Sequence, residues 1–98
     1  MFDTRRFEKI NPQYFNIIML SEHDVTIQSR NTGHYWYLHN TDYPAEGNCV
    51  IFHKHKASHP YHLHGRAGTL PQAMKRIKKH DKWQMNGRKT LKIDSRKV

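Results

Sequence analysis

Two short segments with alternating apolar and polar side chains constrain the fold of this chain more than any other feature. Residues 25–30 alternate from Val25, and residues 34–39 alternate again around Trp36. The residues at 31–33 are Asn-Thr-Gly, a composition typical of a tight turn. Because successive side chains of a strand point to opposite faces, these segments predict an antiparallel hairpin that buries Val25 and Trp36 on one side.

The C-terminal third of the chain has the pattern of an amphipathic helix. Thr69 can cap the helix, Pro71 falls in its first turn and Gln72 completes a capping box. Apolar side chains then recur at helical spacing, so that one stripe faces a core and lysines cover the rest of the surface. The stripe consists of Leu70, Ala73, Met74 and Ile77.

Together these patterns predict an α+β fold. Residues 49–55 and 61–64 add a third strand and a short fourth, whereas residues 12–20 fit either a helix or a strand. We therefore predict a three- to four-stranded antiparallel sheet with a basic C-terminal helix packed on one face, and the segments allow the order α-β-β-β-α. A length of 98 residues predicts a single domain over 1–98, with 1–10 and 88–98 flexible.

The formal net charge of +9 is concentrated in the last third of the chain. Residues 1–65 hold six Lys/Arg and six Asp/Glu, whereas residues 66–98 hold eleven Lys/Arg against two Asp/Glu. Such an asymmetry is typical of proteins that bind polyanions, and nucleic acid is the partner that we expect first. An acidic protein partner would satisfy the same charge.

The single cysteine and the lack of long apolar runs indicate where the chain works. Cys49 has no second cysteine to pair with, which fits a reducing compartment. The longest apolar run, 17–20, is too short to cross a bilayer, and no secretory signal is visible. We therefore expect a cytoplasmic protein that does not act at a membrane.

Five of the nine histidines fall within residues 53–64, where two His-x-His pairs flank a short polar loop. Folded as a hairpin, this stretch places His53, His55, His62 and His64 on one face. We expect that face to point away from the helix, together with Tyr35 and Tyr37, while Phe52 and Leu63 point inward with Trp36. The alternation also allows the reverse, with Tyr35 and Tyr37 buried, because the expected arrangement turns Cys49 and Ile51 outward.

Rings on an open sheet face stack on unpaired bases, and lysines nearby contact phosphates. The most favoured function is thus binding of RNA or single-stranded DNA by a Tyr/His face and a Lys/Arg helix. The predicted contact residues are Arg30, Tyr35, Tyr37, His53, His55, His62, His64, Arg66, Lys75, Arg76, Lys78, Lys79 and Lys82.

Two other chemistries remain open for the histidines. Cross-strand His-x-His pairs can converge on a metal ion, although no cysteine or carboxylate lies within the cluster, and we predict no metal or other cofactor. Imidazoles beside a cation can also cleave RNA without a metal, with His34 or one of the paired histidines as acid and base and Arg66 or Lys54 as the cation. Because any histidine-rich basic chain offers these groups, a binding protein is favoured over an enzyme.

Two tripeptides resemble motifs of the small HicA-type toxins. Gly33-His34-Tyr35 stands at the start of a predicted strand and Gly68-Thr69-Leu70 opens the predicted helix. The family's paired histidines are absent, since Tyr35-Trp36 stand in their place. The resemblance implies a metal-independent endoribonuclease as the alternative function.

The end of the predicted helix has a structural interpretation. A cation near a helix C-terminus is favoured by the helix dipole by about 0.3–1 kcal/mol, which explains His80 without a ligand. Trp83 is interpreted as a residue that closes the core.

Overall fold

The computed structural model describes residues 1–41 and 48–87. A 3₁₀ helix (Thr4–Lys9) precedes five strands and one α-helix. The strands are β1 (Phe15–Leu20), β2 (Asp24–Ser29), β3 (Tyr35–Asn40), β4 (Cys49–Lys54) and β5 (His62–Ala67), and the helix is α1 (Leu70–Met85).

The five strands form one antiparallel sheet in the order β1-β2-β3-β4-β5. The α+β class is confirmed, but the predicted number of three to four strands is too low. The difference lies in residues 15–20, which form edge strand β1 and not the first helix of an α-β-β-β-α order. Phe15 pairs with Ser29 and Ile17 with Ile27, so strand β2 supplies the partner that decides between the two local possibilities.

The predicted central hairpin is confirmed. Val25 lies opposite Leu38 and Ile27 opposite Trp36, and all four side chains are fully buried. Gly33 has a φ of +77°, a left-handed conformation that glycine adopts without steric cost.

Helix α1 begins where the sequence predicts. The Thr69 side chain accepts a hydrogen bond from the backbone N–H of Gln72 at 3.3 Å, and the Gln72 side chain accepts one from the N–H of Gly68 at 3.0 Å. The apolar stripe packs on the same face of the sheet as Trp36 and Ile27. Its members Leu70, Ala73, Met74 and Ile77 are all buried.

The N-terminal segment packs against this core. Asp3 caps the 3₁₀ helix by accepting from the N–H of Arg5, and Phe2 and Ile10 on either side of it are buried. The segment predicted to be flexible at 1–10 therefore contributes two core side chains, while the segment at 88–98 lies outside the described residues. Within the described ranges, no helix combines the length and apolar character needed to span a membrane.

Candidate functional site

The face of strand β4 that packs against helix α1 is not the face that we predicted. His53 lies directly opposite Trp36 and is only 3% exposed, beneath helix α1. Phe52 lies opposite Tyr37 on the uncovered face, where Leu63 of strand β5 is 60% exposed. The predicted inward placement of Phe52 and Leu63 is therefore wrong, and His53 does not share a face with the tyrosines.

Two apolar residues explain this orientation. Cys49 and Ile51 alternate with His53 along strand β4, and both are fully buried. Because residues two apart share a face, burying these two side chains carries the imidazole of His53 to the same side. Neutral imidazole tolerates such burial when its nitrogens have partners.

The uncovered face of the sheet carries a small aromatic cluster. The Tyr37 ring lies 5.5 Å from Phe52 and 5.9 Å from Tyr61, measured between ring centroids. The Lys54 ammonium lies over the rings of Tyr61 and Tyr35, at 4.4 and 5.5 Å. All four aromatic residues of this cluster are partly exposed.

The polar end of Tyr37 is held within the same face. Its hydroxyl donates a short hydrogen bond to Asp24, whose carboxylate also contacts the His39 ring at 3.0 Å. The bond to Asp24 raises the pKa of Tyr37 to about 12, and burial adds to the effect. The Tyr37 hydroxyl is therefore a poor candidate for acid-base chemistry.

On the opposite face, five imidazoles meet beside helix α1. We call them the histidine cluster: His34, His53, His55, His64 and His80. Nε2 of His53 lies 3.0 Å from Nδ1 of His34, and the His55 ring stacks on His34 with centroids 4.1 Å apart. The rings of His64 and His80 are 4.9 Å apart. His62 lies opposite His53, at the exposed rim of this group.

Trp36 forms the floor of the histidine cluster. His53 stacks on the indole at 4.1 Å, and His64 and His80 approach its edge at 5.1 and 5.4 Å. Burial, reinforced by the neighbouring imidazoles, lowers the pKa of His53 to about 3. Burial and the proximity of His80 also lower the pKa of His64. His53 is therefore neutral at physiological pH.

Three members of the cluster have the arrangement of metal ligands. One ring nitrogen from each of His34, His53 and His80 lies within 4.8 Å of the other two. These residues come from the turn before β3, from β4 and from α1, so tertiary packing alone brings them together.

A buried carboxylate fixes the helix against the strands that carry these ligands. Asp81 accepts hydrogen bonds from the hydroxyls of Ser29 at 2.6 Å, Tyr14 at 2.8 Å and Thr32 at 3.1 Å. The Thr32 hydroxyl also accepts from the backbone N–H of His34 at 3.1 Å. Asp81 therefore sets the position of His34 relative to His80, its neighbour on the helix.

An open groove of about 780 Å³ runs alongside the histidine cluster. It combines three cationic side chains with two imidazoles and an indole, and no carboxylate is among its described lining residues. The lining residues are His64, Arg76, Lys79, His80, Lys82, Trp83 and Asn86.

Only part of the predicted contact surface meets in this groove. His64, Arg76, Lys79 and Lys82 belong to it, whereas Tyr35 and Tyr37 lie on the other side of the sheet. The remaining predicted cations are elsewhere. Arg30 donates to the carbonyl of Pro12, Arg66 lies opposite Val50, Lys75 is exposed outside the groove, and Lys78 lies over the Tyr14 ring at 5.2 Å.

Neither His80 nor Trp83 is among the predicted site residues, although both line the groove. Arg76, Lys79, His80 and Trp83 fall at i, i+3, i+4 and i+7, the spacing of one helix face. That spacing is the signal that could have joined them, because it places an aromatic and an imidazole within a basic stripe.

Comparison of the chain with protein-family models, with curated proteins and with solved structures found no match.

Proposed function

We propose that the groove beside helix α1 binds RNA or single-stranded DNA. The observation that carries the proposal is the composition of the groove, which Arg76, Lys79 and Lys82 line together with Trp83. Cationic side chains attract phosphates, and an indole offers a flat surface to a base. Nucleic acid presents both groups in regular alternation.

The shape of the groove favours an unpaired strand over a duplex. A base can stack on Trp83 only when it has left its own helix, which single strands and loops allow. A volume of about 780 Å³ lies within the range of about 300–1,000 Å³ that is common for ligand pockets, so a nucleotide can enter it.

The groove also removes a difficulty of the predicted contact surface. A ligand on the tyrosine face and a ligand on the helix would lie on opposite sides of the sheet. The groove is lined by His64 from the predicted Tyr/His face and by Lys79 from the predicted Lys/Arg helix, so one short strand can reach both. We propose a cytoplasmic location as well, since the free thiol of Cys49 is buried and unpaired.

Fluorescence anisotropy tests this proposal. Untagged protein is titrated into labelled single-stranded RNA, single-stranded DNA and duplex in EDTA, and the integrity of the RNA is checked on a gel. Lys79→Gln removes a groove charge, and Lys75→Gln removes the same charge one helical turn away, outside the groove.

We expect single strands to bind more tightly than duplex, and Lys79→Gln to weaken binding more than Lys75→Gln. Equal effects of the two substitutions would show that total charge, and not the groove, governs binding. Cleavage of the RNA would instead indicate that the protein is a ribonuclease.

A further inference from the structure

We infer that His34, His53 and His80 form a binding site for a divalent transition-metal ion of the zinc type. The site shares only His80 with the described lining of the groove, and it does not depend on nucleic-acid binding. Three imidazole nitrogens within 4.8 Å of one another can meet on one ion with small side-chain rotations. Three histidines with one open position form a common catalytic or transport arrangement for such ions.

The shortest distance in the cluster already approaches that of a coordinated pair. Nε2 of His53 and Nδ1 of His34 are 3.0 Å apart. Zinc–nitrogen bonds of about 2.0–2.1 Å in a tetrahedral arrangement separate two ligand atoms by about 3.3 Å. The two nitrogens face each other at hydrogen-bonding distance. An ion bound between them would take the place of that contact.

The surroundings keep these imidazoles ready for an ion. His34 and His53 are both buried, so the protein shields them from bulk solvent. The ring of His53 is held by Trp36, and the backbone of His34 is held through Thr32 and Asp81. Fixed ligands lose little conformational freedom when an ion binds.

The ligand set also indicates the class of ion. All three donors are imidazole nitrogens, which suit zinc, copper, nickel and iron and do not suit magnesium or calcium. His80 also lines the groove, so an ion or a fourth ligand could reach the three histidines from that side. Two further imidazoles lie close by: the His55 ring is 4.1 Å from His34, and the His64 ring is 4.9 Å from His80.

The test uses zinc and cobalt ions with untagged protein, because a histidine tag would bind both. Zinc affinity is measured by competition with a chromophoric chelator, and cobalt is followed by its visible absorption. The variants His34→Gln and His80→Gln remove one ligand each. His23→Gln and His59→Gln are matched controls, since both residues are exposed and lie outside the cluster.

We expect one zinc ion per chain, with the intense visible absorption of tetrahedral cobalt. Loss of one ligand should weaken zinc binding by about 100-fold or more, beyond the 10- to 100-fold effect common for residues that only support ligands. The control variants should bind as the unaltered protein does.

Equal affinities in the ligand and control variants would overturn the inference, because surface histidines would then account for the binding. The weak absorption of octahedral cobalt in the unaltered protein would overturn it independently of how the variants fold. Circular dichroism in EDTA establishes that each variant retains its secondary structure before metal is added.

Discussion

The hydroxyl of Ser29 donates a 2.6 Å hydrogen bond to the carboxylate of Asp81 and accepts one of 3.1 Å from the indole N–H of Trp36. This pair links strand β3, strand β2 and helix α1 in the interior of the protein. Since Trp36 is also the floor of the histidine cluster, the stability of the fold and the geometry of the site depend on the same contacts.

Replacing Asp81 by alanine should destabilise the protein strongly. Three hydroxyl donors, from Ser29, Tyr14 and Thr32, would lose a charged acceptor in a buried setting. We expect the free energy of unfolding to fall by about 3 kcal/mol, measured by urea denaturation. Glu8→Ala removes an exposed carboxylate and should change it by less than about 0.5 kcal/mol. Similar values for both variants would refute the buried network.

Replacing Trp83 by alanine should weaken binding of a single strand by about 1–3 kcal/mol, the usual effect of losing one stacked base. Trp83→Phe retains a ring and should recover most of the affinity. Tyr35→Ala removes an aromatic residue on the other face of the sheet and should leave affinity nearly unchanged. Anisotropy titrations of the three variants measure these effects. A larger loss for Tyr35→Ala than for Trp83→Ala would move the contact surface to the tyrosine face.

Binding should depend on salt in proportion to the cations of the groove. For single strands, each phosphate contact contributes about −0.7 to the slope of log affinity against log salt concentration. Three contacts therefore predict a slope of about −2. Lys82→Gln should reduce the magnitude of that slope by somewhat less than one, whereas Lys75→Gln should leave it unchanged. Titrations at four salt concentrations provide the slopes. An equal reduction in both variants would speak against defined phosphate contacts in the groove.

The thiol of Cys49 should be unreactive in the folded protein. Burial raises its pKa to about 12, so almost no thiolate exists near neutral pH, and its side chain has no exposed surface. Because the thiolate is the reacting species, we expect a chromogenic disulfide reagent to label Cys49 slowly at pH 8. Labelling should become rapid once urea unfolds the chain. Rapid labelling without urea would show that strand β4 opens readily.

The central hairpin and helix α1 could be predicted because their signals are local. The apolar residues that alternate around Trp36 form the buried face of the hairpin, and the stripe that contains Ile77 forms the buried face of the helix. The cap at Thr69 fixes where the helix starts. Strand β1 carries a weaker signal, because Ile18, Met19 and Leu20 are exposed on an edge strand and the pairing is irregular between Ile17 and Met19.

The histidine faces could not be assigned from the same alternation. Imidazole is polar enough to suggest an exposed face, yet His53 follows the buried parity of Cys49 and Ile51. The meeting of His80 with His34 depends on how the helix crosses the sheet, and no local pattern specifies that crossing. For the same reason, the groove could not be predicted from the sequence, although its residues on helix α1 follow a helical spacing.

The central claim is that this groove binds a single strand, and an NMR titration tests it most directly. Amide and indole N–H signals of labelled protein are followed while a short unlabelled single-stranded RNA is added. The account predicts the largest shifts at His64, Arg76, Lys79 and Trp83, with small shifts at Tyr35 and Phe52. Shifts confined to the tyrosine face, or no shifts at all, would contradict it.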